Sequence, residues 1–200
     1  MNDINNAFKR FGILGLIENA IIHLLIKCGL NISVMELLVK PVRYAENKYK
    51  GKYKFLEVED FERQKKLNPQ WFSDGKIEEM VRACGDKNNK AIGIVKDNLI
   101  IAYGWVSLEK MGFDEVELLS QDGYLWDDYT HPTYRGQGLH GLINNARINY
   151  LCSSGKTRAL TKVAHYNRAS KNGYYKSGFT KMQTYITMKV GKFSFSSLKY

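Results

Sequence analysis

Cysteine and proline are scarce in this 200-residue chain, three of each. Cys28, Cys84 and Cys152 are too few for a dense disulfide framework. No two of them sit at metal-ligand spacing, which argues against a structural metal site, and they read as buried, reduced thiols. Three prolines among seventeen glycines exclude a collagen-like chain. A long uncharged apolar run is also missing. A membrane-spanning helix needs ~18 or more such residues, and the apolar stretch from Phe11 to Ile26 is interrupted by Glu18, Asn19 and His23. No small-residue cleavage site follows it, so it does not read as a secretory signal. The expectation is a cytoplasmic chain without a membrane partner. Lys9, Arg10 and Lys27 do flank the apolar body, which leaves open a helix lying in a membrane interface.

The most uneven absence is of acid. All twenty Asp and Glu lie at or before Asp128. Residues 129–200 carry twelve Lys and Arg and no acid, while residues 1–128 carry eighteen against twenty. The net charge of +10 is therefore one-sided and suits an anionic partner: phosphates, nucleic acid or an anionic surface. At 44% hydrophobic and 25% charged, the chain has an ordinary globular composition, and its length suits one domain with a small extension.

Ile13, Leu16, Ile17, Ala20, Ile21, Leu24 and Leu25 recur at three and four, predicting a helix over 3–28. Asn31 or Ser33 caps a second short helix ending before Pro41 in this reading. The polar segment 44–54 is a connector, so residues 1–50 form an N-terminal helical extension and residues 51–200 the main domain. There, strands are expected at 53–58, 91–95, 99–106, 124–131, 158–163 and within 179–190. Helices are expected at 59–67, 76–83, 139–150 and 168–177, and Lys96-Asp97-Asn98 turns a hairpin. The order is that of a mixed α/β (α+β) domain.

The stretch Tyr134-Arg-Gly-Gln-Gly-Leu-His-Gly141 lies between a strand and an amphipathic helix. Glycines let a backbone turn sharply and approach a ligand. The first amides of a helix have no partner within it and, with the helix dipole, receive phosphate. Arg135 adds a cation. No Lys follows these glycines, which excludes the nucleotide P-loop. Gly136-x-Gly138-x-x-Gly141 matches the dinucleotide fingerprint formally, but no downstream acid is present to hold a ribose. Later, Asn167-Arg-Ala-Ser170 precedes Tyr174-Tyr-Lys176-Ser-Gly178-Phe179. Asn167 can cap the helix it precedes, and Tyr174 lies two turns further along the same face.

The two motifs, in this order and at this spacing, resemble those of the GNAT superfamily of N-acetyltransferases. The first, Thr130-His-Pro132-Thr-Tyr-Arg135-Gly-Gln-Gly138-Leu-His140, departs at His140, where a small residue is usual, and at Thr130, where Val is usual. The second agrees at each motif position from Asn167 to Phe179. The match covers about residues 123–180, and residues 1–50 match nothing in it. The resemblance implies a GNAT-like acyltransferase fold and acetyl-CoA as donor, with no metal. It places the pyrophosphate on the amides of Gly136, Gln137, Gly138, Leu139, His140 and Gly141, beside Arg135. It places the pantetheine arm along Asp128, Tyr129 and Thr130, whose backbone would polarise the thioester carbonyl. Asn167, Tyr174 and Lys176 complete the cofactor contacts, with Tyr174 protonating the departing thiolate.

The implied acceptor is a primary amine. An ammonium with a pKa of about 10.4 is less than about one part in a thousand free base at pH 7, so a group must take its proton. Asp127 and Asp128 are the nearest carboxylates in sequence and point to opposite faces of a strand. His131 and His165 are further candidates. A small amine such as an amino sugar is the expected acceptor, in a pocket drawn from Trp71, Glu78, Glu79 and Trp105. Protein N-termini or lysines are alternatives, as is a basic RNA-binding module without catalysis. A homodimer through the N-terminal stripe stays open.

Overall fold

The computed structural model describes residues 2–27, 30–44, 52–109, 118–190 and 193–199. Contacts group the chain into two compact units, residues 1–40 with 161–200, and residues 41–160. The boundary expected after residue 50 falls in 45–51, outside the described residues.

In the first unit, α1 (Asn2–Lys27) takes up the predicted helix, interrupted at Gly12, where φ is 68°. Around that break it lies against the entry to α5 (Arg168–Lys176). Phe11 meets Tyr166 edge-on at 5.5 Å. A Cβ on Gly15 would come within 2.7 Å of the Tyr166 carbonyl, so glycine is what permits the approach.

The second helix expected after residue 30 is instead a strand, β1 (Leu30–Pro41). Ile32, Val34 and Val39 are β-branched, and apolar residues fall on both faces of the segment. It pairs antiparallel with β7 (Thr180–Val190), from Leu30 opposite Val190 to Val39 opposite Thr180, with a register shift at Leu37/Leu38. That pairing is long-range, so the local cap signals at Asn31 and Ser33 are overridden. β7 pairs antiparallel with β8 (Phe193–Lys199), an element not anticipated from sequence. The strand order is β6-β1-β7-β8, and β6 (Arg158–Ala164) carries the chain across the Leu160/Thr161 division.

In the second unit, β2 (Lys54–Leu56), β3 (Asn89–Lys96), β4 (Leu99–Ser107) and β5 (Asp122–Thr130) form an antiparallel meander. Asp97 and Asn98, both at positive φ, make the tight β3–β4 turn as expected. β4 is buried nearly throughout, so both its faces are covered. Contacts to β3 and β4 come from α3 (Asp74–Cys84), α2 (Val58–Leu67) and α4 (Leu139–Ser153). Phe61, Phe72, Met80, Ile100, Tyr103 and Trp105 fill the core under α2 and α3. Phe61 stacks on Trp105 at 5.6 Å, and Trp105 on Trp126 at 5.0 Å. Cys84 and Cys152 are half-buried free thiols, not fully enclosed ones, and Cys28 lies outside the described residues.

Candidate functional site

The glycine-rich bend lies between β5 and α4. A single 3-10 turn, Pro132–Tyr134, leads into it. Gly136 and Gly138 adopt φ of 81° and 76°, a left-handed backbone that favours glycine. Gly138 is the N-cap of α4 and supplies no capping side chain. The ladder of the helix starts only with the Leu142 amide, 3.1 Å from the Gly138 carbonyl. Arg135, Gly136, Gln137 and Gly138 are exposed, and a Cβ at Gly136, Gly138 or Gly141 would meet nothing within 4 Å. The bend is thus open to a ligand, with a helix N-terminus behind it. Arg135 donates from Nε to the Thr130 carbonyl at 3.2 Å, and its guanidinium lies 5.8 Å from the Trp71 ring centroid.

His140, one of the two residues that depart from the GNAT pattern, is turned toward its own helix. Asn144 donates to its Nδ1 at 3.3 Å, which leaves the ring proton on Nε2, 3.5 Å from Asp128. The Asn144 carbonyl oxygen in turn accepts from Arg147.

β5 is irregular where it carries the two candidate acids. Its pairing with β4 shifts register between Tyr103 and Trp105, and Asp127 sits at φ 49°. That left-handed backbone in a non-glycine residue is strained. The two carboxylates reach opposite sides, as alternation predicts. Asp128 faces α4 and lies 2.5 Å from the Arg147 guanidinium, whose side chain is fully enclosed. Arg147 also donates to the Trp105 carbonyl at 3.1 Å. Asp127 faces α3. Its Oδ2 accepts from the Tyr103 hydroxyl at 3.0 Å and lies 3.0 Å from the Lys76 ammonium. Lys76 also lies 3.0 Å from Glu79.

Burial pushes the Asp127 carboxyl above its ordinary value, against the opposing pull of Lys76 and Tyr103. Burial works to lower Lys76, but Asp127 and Glu79 outweigh it and hold the ammonium above its ordinary value. Burial, and then the Asp127 charge, drives the Tyr103 hydroxyl well up. Tyr129 stacks on Tyr103 at 5.4 Å and accepts from the Asn68 amide at 3.2 Å, and burial pushes its hydroxyl to about 12. Tyr129 and Thr130 pair with Tyr103 and Ala102, which commits one edge of β5 to β4.

Two expectations for the acceptor region change. Trp105 is enclosed in the core, so it cannot line an open pocket. Glu79 is engaged by Lys76, whereas Trp71 stays partly exposed. His131 accepts at Nδ1 from the Thr133 amide at 3.4 Å, and burial, then Arg135, lowers its pKa.

The second motif lies in the other unit. Asn167 caps α5, its side-chain oxygen accepting from the Ser170 amide at 3.3 Å. Tyr174 is enclosed, its ring edge-on to Phe179 at 5.0 Å. Lys176 is exposed. Tyr175 donates to Glu36 at 3.0 Å, and burial together with Glu36 pushes its hydroxyl to about 12. Glu36, on β1 and buried, also holds Lys171 at 2.9 Å and His165 at 2.7 Å. Burial works to raise Glu36, but these partners hold it below its ordinary value.

Lys76, Tyr103, Arg147 and Glu36 were not foreseen as site or anchoring residues. The Phe61–Tyr103 pattern reads only as core, and nothing local ties Arg147 to Asp128 or Glu36 to α5.

No family model matches the sequence, and no curated protein matches it. Solved structures do match the fold. One is a protein from Novosphingobium aromaticivorans described as an acetyltransferase of the GNAT family, with a TM-score of 0.57 at 14% identity over 79% of this chain. This chain spans 65% of the length of that protein. A second is an aminoglycoside 6'-N-acetyltransferase from Acinetobacter haemolyticus, with a TM-score of 0.54 at 18% identity over 74% of this chain and 98% of the other. A third is aminoglycoside N-acetyltransferase AAC(6')-Iy in complex with CoA, with a TM-score of 0.52 at 14% identity over 74% and 99% of the two chains. The chain has the fold of the GNAT acetyltransferases.

Proposed function

We propose that this protein transfers an acetyl group from acetyl-CoA to the primary amine of a small cationic molecule, an amino sugar being the type. The observation that carries the reading is the exposed Arg135–Gly141 bend. It has two left-handed glycines, no capping side chain and open space at three Cβ positions, on a fold shared with acetyltransferases. A diphosphate needs that combination of close backbone approach and unsatisfied amides. His140 does not argue against it, since its ring is directed to Asn144 and Asp128.

In this reading the amine nitrogen attacks the thioester carbon, the nitrogen–carbon bond forms and the carbon–sulfur bond breaks. Asp127 takes the amine proton. Its raised carboxyl makes it a better base than an ordinary aspartate, and it already holds a primary ammonium, that of Lys76, at 3.0 Å. Asp128 is committed to Arg147 and shapes the bulge instead. Backbone amides of β5 polarise the carbonyl. The roles of Tyr174, as donor to the leaving thiolate, and of Asn167 and Lys176, as cofactor contacts, rest on the resemblance of their motif alone. The aminoglycoside enzymes of the same fold support an amine acceptor.

The test is calorimetric titration with CoA, followed by thiol release from acetyl-CoA across a panel of amino sugars, polyamines, lysine peptides and protein N-termini. Saturable CoA binding with thiol release on small amines is the expected result. Release on the peptides alone would reassign the acceptor. No heat with CoA, together with steeply salt-dependent RNA binding, would reject the reading.

A further inference from the structure

Among the described residues, nothing covers one face of α1 after Gly12. Ile13, Leu14, Ile17, Ile21 and Leu24 follow one another at helical spacing, and each is more than half exposed, Leu14 the most at 76%. The opposite face is taken, with Phe11 on Tyr166 and Gly15 against the Tyr166 backbone. Monomeric proteins seldom leave a contiguous aliphatic stripe of this kind in water.

Charge identifies the occupant. The unit bearing α1, residues 1–40 with 161–200, holds twelve Lys and Arg against three acids, and so +9 of the +10 of the chain. Lys9 and Arg10 precede the stripe in sequence, and Lys27 ends the helix. A second copy would bring an equally basic unit to the same stripe, a like-charge encounter. Single-stranded nucleic acid would want aromatic faces for stacking, and the stripe contains only Ile and Leu. An apolar helix face on a unit of strong net positive charge suits phospholipids with anionic headgroups. No described helix is long and apolar enough to cross a membrane, and lying on one requires no such length.

We propose that α1 docks this protein onto an anionic phospholipid surface, with Ile13, Leu14, Ile17, Ile21 and Leu24 in the acyl boundary and the basic unit over the headgroups. The five stripe residues are none of those placed at the acetyl-transfer site, so the variant tests this proposal separately from that reading.

The experiment is co-sedimentation of the full chain with vesicles of phosphatidylcholine alone, or of equal parts phosphatidylcholine and phosphatidylglycerol, at low and high salt. It is repeated for the double variant Ile17→Gln, Ile21→Gln. Both positions are exposed and Gln is a good helix former, so the variant keeps its fold, checked by circular dichroism and an unchanged thermal midpoint. The expected result is binding to the phosphatidylglycerol vesicles, weakened by salt, with partitioning reduced about tenfold or more in the variant. Absence of binding to either vesicle would overturn the proposal, as would equal binding by the variant. A concentration-dependent dimer in light scattering that the variant abolishes would also overturn it, by assigning the stripe to a second copy.

Discussion

Asp128 is locked to Arg147, a guanidinium closed to solvent and 2.5 Å away, whereas its neighbour Asp127 faces the Lys76 ammonium on the other side of the same strand. Two adjacent carboxylates that look alike in sequence therefore hold different places. Asp128→Asn leaves a buried guanidinium without its counter-charge, which costs about 3–5 kcal/mol of stability. Asp127→Asn removes the proposed base and lowers kcat about a hundredfold or more, with a smaller change in unfolding midpoint. Urea unfolding and steady-state kinetics on both variants check the split. Equal loss of kcat with no loss of stability in Asp128→Asn would reverse the assignment.

The tyrosines of α5 divide in the same way. Tyr175 donates to buried Glu36, so Tyr175→Phe costs about 1 kcal/mol and leaves turnover near wild type. Tyr174→Phe keeps the ring against Phe179 and deletes only the hydroxyl. Turnover is expected to fall about a hundredfold or more while CoA affinity stays within about twofold. Stopped thiol release and calorimetry on the two variants give the comparison, and an unchanged rate in Tyr174→Phe removes that residue from the mechanism.

Local signals made much of this legible. The Lys96-Asp97-Asn98 turn, the start of α4 at Leu139 and the Asn167 cap are short-range chemistry, and each recurs in the structure as read. The bend from Arg135 to Gly141 was legible because glycine at positive φ leaves a compositional trace. What failed was non-local. β1 carries helix-cap residues at its start, yet pairs with a strand some 150 residues later in the chain. Lys76 comes to Asp127, and Arg147 to Asp128, only once α3 and α4 are placed by the packing of the core. Charge pairs of this kind have no spacing rule, so sequence offered Asp127 and Asp128 together and could not choose between them.

Glu36 gives the chain a predictable acid limb. Its partners Lys171, Tyr175 and His165 hold its folded pKa below the ordinary glutamate value, although burial alone works the other way. Between the two values the unfolded chain binds a proton that the folded chain does not, so stability rises with pH there. The contribution is complete above the ordinary carboxylate range, about pH 4.3 and upward, and is lost as pH falls through the lowered folded value. Urea midpoints measured from neutral pH downward should show this loss. Glu36→Gln should lie lower at neutral pH and flatten the acid limb, and an identical slope in the variant would exclude Glu36 as its source.

Gly138 and Gly141 separate a backbone requirement from a ligand requirement. Gly138 sits at φ 76°, so Gly138→Ala strains the cap of α4 by about 1–2 kcal/mol, whatever the space around it. Gly141 lies within α4 and is not among the positive-φ glycines, and a Cβ there meets nothing within 4 Å. Gly141→Ala therefore raises stability by about 0.5–1 kcal/mol through helix propensity. If the N-terminal turn of α4 receives a diphosphate, that added methyl projects into the space the phosphate oxygens need, and CoA affinity drops about tenfold in a protein that is otherwise more stable. Thermal unfolding and CoA titration on the same sample read both effects. A stabilised Gly141→Ala variant that binds CoA as tightly as wild type would place the phosphates elsewhere.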